Sequence, residues 1–387
     1  MAAPTVSSGA AIASGSGSTT QNVALPLISW WRRYTRWTQT SREEAVHAEQ
    51  NLLAVRSGST PVETVDVSLS CGNKIHTLVA GKPSGTAPLV CIPGYGAGAG
   101  FFWKNIGPLA DGGQRVLTLD LLGTGLSSRP AFNAKDTAAA EDFFVGSLSD
   151  WREKMGLDKM ILVAHSMGGY LATVYALRHP EHVQHLVLVS PAGIPAMPSD
   201  WEPKAVRSSF SVAGVAWRTA ISAWEGGVTP GAITRGLGPF GMGLVNRYIS
   251  GRFRRTGEGL TDDEVSSFRD YQYHILAQNG SGEHALRHIL QPFAWARQPL
   301  EHRISDLKVP VTFVYGDKDW MLSIDQEAPA RCIQALNSTK AAVHPPKPDS
   351  PDRKIFTIPD AGHYLFIDQP ALFHDIIQRV VSMHSPA

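Results

Sequence analysis

Apolar positions along this chain follow two rhythms. From Val65 onward, short runs of consecutive apolar, β-branched-rich residues alternate with stretches in which apolar positions recur every three or four residues. The first rhythm belongs to strands buried on both faces and the second to helices that cover them. The runs predict a hairpin of strands 65–69 and 74–79 about Gly72-Asn73, then strands at 88–92, 115–119, 160–164, 183–189, 311–315 and 355–358. Helices are expected at 138–155, 167–178 and 371–383. Such alternation indicates an α/β fold with a mostly parallel, doubly covered sheet. Between Pro191 and about Arg303 the alternation stops, and helix-like segments rich in Trp, Gly and Arg take over. The expected organisation is therefore a core of residues 50–190 and 305–387, with a helical cap inserted over 191–304.

Upstream of this pattern, residues 1–23 are mostly Ala, Ser, Gly and Thr, too poor in apolar surface to offset the entropy of ordering, and read as a disordered tail. Residues 24–45 read as an amphipathic helix. At 100° per residue, Leu27, Trp30, Trp31, Tyr34 and Trp37 gather on one side while Arg32, Arg33 and Arg36 gather on the other. Tryptophan and tyrosine favour the headgroup boundary and arginine attracts anionic lipid, so the segment predicts contact with a membrane or lipid-droplet surface. The competing reading is a helix docked on the domain's own surface.

Composition narrows the function. The 387 residues are 43% hydrophobic and 18% charged with a net charge of +1, so there is no global field to attract nucleic acid. No apolar run approaches the roughly 18 residues of a spanning helix. Cys71, Cys91 and Cys332 are widely spaced with no C-x-x-C pair, which favours a reducing compartment and argues against a disulfide framework or zinc site. The charge balance hides one asymmetry: residues 1–42 contain Arg32, Arg33, Arg36 and Arg42 and no acid. A peripheral cytoplasmic location is expected, with a mitochondrial one as the alternative because the tail is Ser-rich and acid-free.

Candidate chemistry centres on Ala164-His165-Ser166-Met167-Gly168-Gly169, between a strand and a helix. A serine in a sharp strand-to-helix turn needs small neighbours and exposes its hydroxyl at the carboxyl end of the sheet. Pro93-Gly94-Tyr95-Gly96 follows an earlier strand, and the amides of Tyr95 and Met167 are the candidate oxyanion donors. A serine hydroxyl requires an imidazole base, which in turn requires a carboxylate. Strand VTFVYG leads into Asp317-Lys318-Asp319, and FTIP into Asp360-Ala361-Gly362-His363. The expected catalytic order is Ser166, Asp319, His363, with Asp319 preferred to Asp317 because the acid usually follows this strand as G-x-x-D. Asp120, after the strand VLTL, reads as a loop brace, and His165 as structural.

These segments, with RGLGPFGMGLVNRY and GHYLFIDQP, resemble the lipid-acting subgroup of the α/β-hydrolases, which includes a lipid-droplet lipase co-activator, N-acyl-phospholipid hydrolases, plant homologues and fungal cardiolipin deacylases. Two departures are Pro93, where a histidine is usual, and Leu322, where an acid or amide is frequent. The resemblance implies the α/β-hydrolase fold, no cofactor, and hydrolysis of glycerolipid or lysophospholipid esters through an acyl-serine. It also implies an H-x-x-x-x-D acyltransferase motif at His363 and Asp368, with acyl-CoA as a possible co-substrate. In that motif His363 would deprotonate a lysophospholipid hydroxyl and Asp368 would orient it; in the hydrolase reading Asp368 is a loop or cap bond partner. The alternatives are a predominantly acyl-CoA-dependent 1-acylglycerol-3-phosphate acyltransferase and a non-catalytic lipase co-activator. Arg235, Arg252, Arg254 and Arg255 of the cap, with Trp201, Trp217, Trp224 and Trp295, are expected to shape acyl and headgroup recognition.

Overall fold

In the computed structural model, which describes residues 40–199, 201, 212–253, 257–338 and 350–385, one eight-stranded sheet organises the chain. Strands β1 (Val62–Ser68) and β2 (Lys74–Ala80) pair antiparallel, and β2 also runs antiparallel to β4 (Val116–Leu119). The remaining neighbours are parallel: β3 (Leu89–Ile92), β5 (Met160–His165), β6 (Val183–Val189), β7 (Val311–Gly316) and β8 (Lys354–Ile358) complete the order β1-β2-β4-β3-β5-β6-β7-β8. The expected α/β sheet is thus present, with strand ends shifted by a few residues at most.

The buried strands explain why both faces must be covered. Leu89 and Cys91 of β3, Ile161 and Val163 of β5, and Val187 and Val189 of β6 belong to one apolar cluster, whereas Val90, Ile92, Leu162, Ala164, Leu186 and Leu188 belong to a second. The period of two sends alternate side chains to opposite faces. Helices α2 (Thr137–Lys154) and α3 (Met167–Arg178) cover the second cluster, while α1 (Arg42–Ala54), α5 (Asp262–Ala277) and α6 (Pro370–Met383) cover the first. Each fully buried large side chain, such as Trp103 or Trp151, contributes about 1.5–3 kcal/mol.

Of the helix expected over 24–45, only residues 40–45 are described. The segment 24–45 falls almost wholly outside the described residues, including Trp30, Trp31, Trp37, Arg32, Arg33 and Arg36. Thr40 and Ser41 are not helical. Ser41 is an extended N-cap whose hydroxyl accepts from the Glu44 N–H, and α1 begins at Arg42. Helix α1 buries Ala45, Ala48, Glu49 and Leu52 along one stripe. The Gln278 side-chain amide at the end of α5 donates to Thr40 Oγ1 (3.0 Å) and to the Ser41 carbonyl (2.9 Å), which ties the start of α1 to the segment between β6 and β7.

That segment is helical, as its lost alternation suggests. It includes α4 (Gly241–Phe253) and α5, the latter opened by a capping box of Thr261 and Glu264. Val265, Phe268 and Tyr271 of α5 pack into the same cluster as β3 and β5, so this cap shares the sheet's core. No helix among the described residues is long and apolar enough to cross a membrane.

Candidate active site

The carboxyl ends of the parallel strands bring the candidate residues together. Ser166 stands between β5 and α3 with φ 53° and ψ −122°, a backbone region that side chains other than glycine rarely occupy. The turn is held by the Ser166 N–H on the Val189 carbonyl (3.0 Å), while the Ser166 carbonyl accepts from Gly169 (2.9 Å) and Ala192 (3.0 Å). The Pro93–Gly96 loop lies directly against it. A Cβ on Gly94 would sit 2.8 Å from the Ser166 Cβ, so only glycine lets this backbone approach.

His363, after β8, links the other two groups. Its Nε2 is 3.0 Å from Ser166 Oγ, and its Nδ1 is 3.1 Å from Asp319 Oδ1, after β7. Asp319 is 3% exposed and also accepts from the Met321 N–H (3.0 Å). A buried carboxylate on Nδ1–H fixes the tautomer that leaves Nε2 able to accept the serine proton. Asp317 instead lies exposed and accepts from the Ala361 N–H (3.1 Å), bracing the loop that carries His363. Among the described residues, the N–H groups of Tyr95 and Met167 have no hydrogen-bond partner. Two unengaged amides flanking the serine can bind developing negative charge.

Neighbouring groups hold this line in place. The buried His165 ring is neutral, its pKa driven well below the usual range by desolvation and by His363 nearby, and its Nε2–H donates to the His363 carbonyl (2.9 Å). Asp120 accepts from the N–H groups of Ala99 and Leu126 (both 2.6 Å), which ties the loop after β3 to that after β4. Burial pushes its carboxyl up to about 6. Tyr271 of α5 adds a brace that sequence patterning misses, its hydroxyl accepting from the Gly100 N–H (3.0 Å).

Asp368 takes the loop-and-cap bonding place of the hydrolase reading and not the orienting place that the acyltransferase motif implies. Its carboxylate does not reach His363 but accepts from both terminal nitrogens of Arg252 on α4 (2.8 and 3.2 Å) and from the Gly362 N–H (2.8 Å). The orienting acid of His363 is Asp319, and the H-x-x-x-x-D spacing joins a cap residue to the histidine loop. Arg235 is likewise paired, with Glu283 (2.6 Å), and bonds the Leu276 and Gln278 carbonyls. These two cap arginines therefore spend their charge internally; Arg254 and Arg255 lie outside the described residues. Nothing local in sequence announces Arg252 as the partner of a residue 116 positions away.

One further cluster has the residue types of a cation site. Glu49, His76 and Asp120 bring ligand atoms within 4.8 Å of one another. His76 is already bracketed by Glu49 (2.7 Å) and Asp66 (3.1 Å). Burial disfavours its charge, but the hydrogen bonds to Asp66 and Glu49 outweigh that and raise its pKa to about 10. The imidazolium supplies the positive charge a metal would bring.

Comparison with known proteins fits this geometry. A family model described as the α/β hydrolase fold matches residues 87–225. A 1-acylglycerol-3-phosphate O-acyltransferase of Arabidopsis thaliana is 38% identical over 367 residues, covering 90% of this chain and 82% of the relative. A (lyso)-N-acylphosphatidylethanolamine lipase of Homo sapiens is 39% identical over 318 residues, covering 81% and 85%. Among solved structures, a bacterial membrane phospholipase A superposes with a TM-score of 0.57 at 19% identity, covering 94% of this chain and 97% of that one.

Proposed function

The chain belongs to the α/β-hydrolase family, and we propose that it is a serine hydrolase of glycerolipid esters whose acyl-enzyme can also be resolved by a lysophospholipid alcohol. The observation that carries this reading is the unbroken hydrogen-bonded line Ser166–His363–Asp319 at a strained turn. Ser166 Oγ attacks the ester carbonyl as its proton passes to His363 Nε2, and Asp319 stabilises the imidazolium. The Tyr95 and Met167 amides receive the oxyanion. His363 then protonates the leaving lysolipid alcohol, and either water or the hydroxyl of a lysophosphatidic acid, deprotonated by the same histidine, takes the acyl group from Ser166. The names of the relatives, one an acyltransferase and one a lipase, support both outcomes from one site.

An acyl-CoA-dependent route on a separate His363–Asp368 pair has no support in the geometry, because Asp368 is engaged by Arg252. A purely co-activating role gives no reason for the complete line. The Trp/Arg segment at residues 30–37 would bring the enzyme to its lipid. The test is a lipid-class screen of purified protein that scores fatty-acid release and phosphatidic-acid formation together. Wild type should release fatty acid, and Ser166→Ala should abolish both products. Wild-type rates of either product from Ser166→Ala would overturn the shared acyl-serine.

A further inference from the structure

Arg252 touches the chain on both sides of His363 without touching His363 itself. Its guanidinium grips Asp368, whose side chain is 1% exposed, and that carboxylate in turn holds the N–H of Gly362, the residue before the histidine. A Cβ on Gly362 would lie 2.5 Å from Arg252 Nη2, so the guanidinium occupies the space a side chain would need. On the other side, the Arg252 guanidinium carbon lies 5.9 Å from the ring centroid of Tyr364, the residue after the histidine, and 5.0 Å from that of Phe253. A second cap contact meets the same place, the Glu258 N–H donating to the Asp368 carbonyl (2.9 Å).

We propose that Arg252 is a positioning residue through which the cap sets the catalytic histidine loop, so that the seating of α4 controls the Ser166–His363 geometry. This rests on the serine-hydrolase reading above. Beyond the Asp317 brace on Ala361, two contacts flank His363 itself: His165 holds the His363 carbonyl from the elbow, and Arg252, acting through Asp368, holds the preceding amide from the cap. A bidentate guanidinium–carboxylate pair has a single good geometry, unlike a point charge. Its loss leaves a buried, uncompensated carboxylate beside the loop, which must move or take a proton. Because the pair touches the residues on either side of His363, its disruption acts on His363 and hence on hydrolysis and transfer alike. A dedicated acyltransferase role for Asp368 requires the opposite, loss of transfer with hydrolysis retained.

The experiment uses full-length wild type, Arg252→Lys, Arg252→Met, Asp368→Asn and the double variant Arg252→Met/Asp368→Leu. Each is assayed for covalent labelling of Ser166 by a fluorophosphonate, for kcat and KM on a short-chain nitrophenyl ester, and for acyl transfer to lysophosphatidic acid. Misplacing a catalytic group by about 1 Å costs about a hundredfold, so Arg252→Met and Asp368→Asn should lower the labelling rate and kcat by roughly ten- to a hundredfold with KM little changed. Transfer should fall in the same proportion. Arg252→Lys should retain more activity than Arg252→Met. The double variant, which buries no unpaired charge, should be no worse than the poorer single variant and keeps the test open if a single variant does not fold. Wild-type labelling rates in the folded single variants, or strictly multiplicative losses in the double variant, would overturn the latch. Absence of labelling in wild type would instead sink the serine-hydrolase reading, so the two failures are told apart.

Discussion

Two histidines in this molecule are each tied to carboxylates inside the fold, yet one is built for chemistry and the other for structure. His76 on β2 is 1% exposed, with Nε2 on Glu49 at 2.7 Å and Nδ1 on Asp66 at 3.1 Å. His363 is 8% exposed, with Nδ1 on Asp319 at 3.1 Å and Nε2 on the Ser166 hydroxyl at 3.0 Å. Two acids lock a ring in its charged form. One acid and one hydroxyl leave a ring that can take a proton and give it back. The partner of the second nitrogen therefore separates a brace from a base, and proximity to a carboxylate alone does not.

This contrast predicts opposite responses to substitution. Ser166→Ala should cost about four to six orders of magnitude in kcat with little change in thermal stability, since the triad members act as a unit. Asp319→Asn should cost about three to four orders by releasing the His363 tautomer, again in a folded protein. His76→Gln should do the reverse, destabilising by about 3–5 kcal/mol because Glu49 loses its buried partner, while the folded fraction turns over a soluble ester normally. Thermal unfolding and ester kinetics on the same three proteins check all of these. A folded His76→Gln protein with wild-type stability and collapsed kcat would erase the distinction.

The same contrast has a pH signature. The His76 pKa is raised from 6.5 in the unfolded chain to about 10 in the fold. Its stabilising contribution is therefore complete below about pH 6.5 and is lost as pH rises through that interval toward 10. The Tm gap between wild type and His76→Gln should shrink over that range, and a gap that widens would contradict the assignment. At the small end, Ser41→Ala should cost about 1 kcal/mol through the lost N-cap of α1. Arg42→Ala should cost less than about 1 kcal/mol, because Arg42 is half exposed in its pair with Asp66.

What could be read in the sequence, and what could not, divides along the range of the interactions involved. The strands and α3 announce themselves through runs and periods that involve only near neighbours, and Ser166, Asp319 and His363 each follow a strand at a recognisable spacing. Helix α1 is harder to see because its buried stripe includes Glu49, a residue that looks solvent-facing until His76 is known to meet it. The six-residue helix Ile106–Asp111 has too few turns to establish a period. For Asp368 a loop or cap bond is legible as one of two readings, but its partner is not: Arg252 lies 116 positions away, and the pairing exists only because the cap folds back over the sheet. Long-range charge pairs leave no local pattern.

The proposed chemistry requires that Ser166 become acylated during turnover of a glycerolipid. The direct measurement is acid-quench mass spectrometry of the peptide bearing Ser166 after brief incubation with a phospholipid of defined acyl chains. A mass increase on Ser166 equal to one of those acyl groups is expected in wild type, absent in Ser166→Ala and strongly reduced in His363→Ala, since the same base serves acylation and deacylation. Steady release of fatty acid with no acyl adduct on Ser166 in wild type would contradict acylation at this serine.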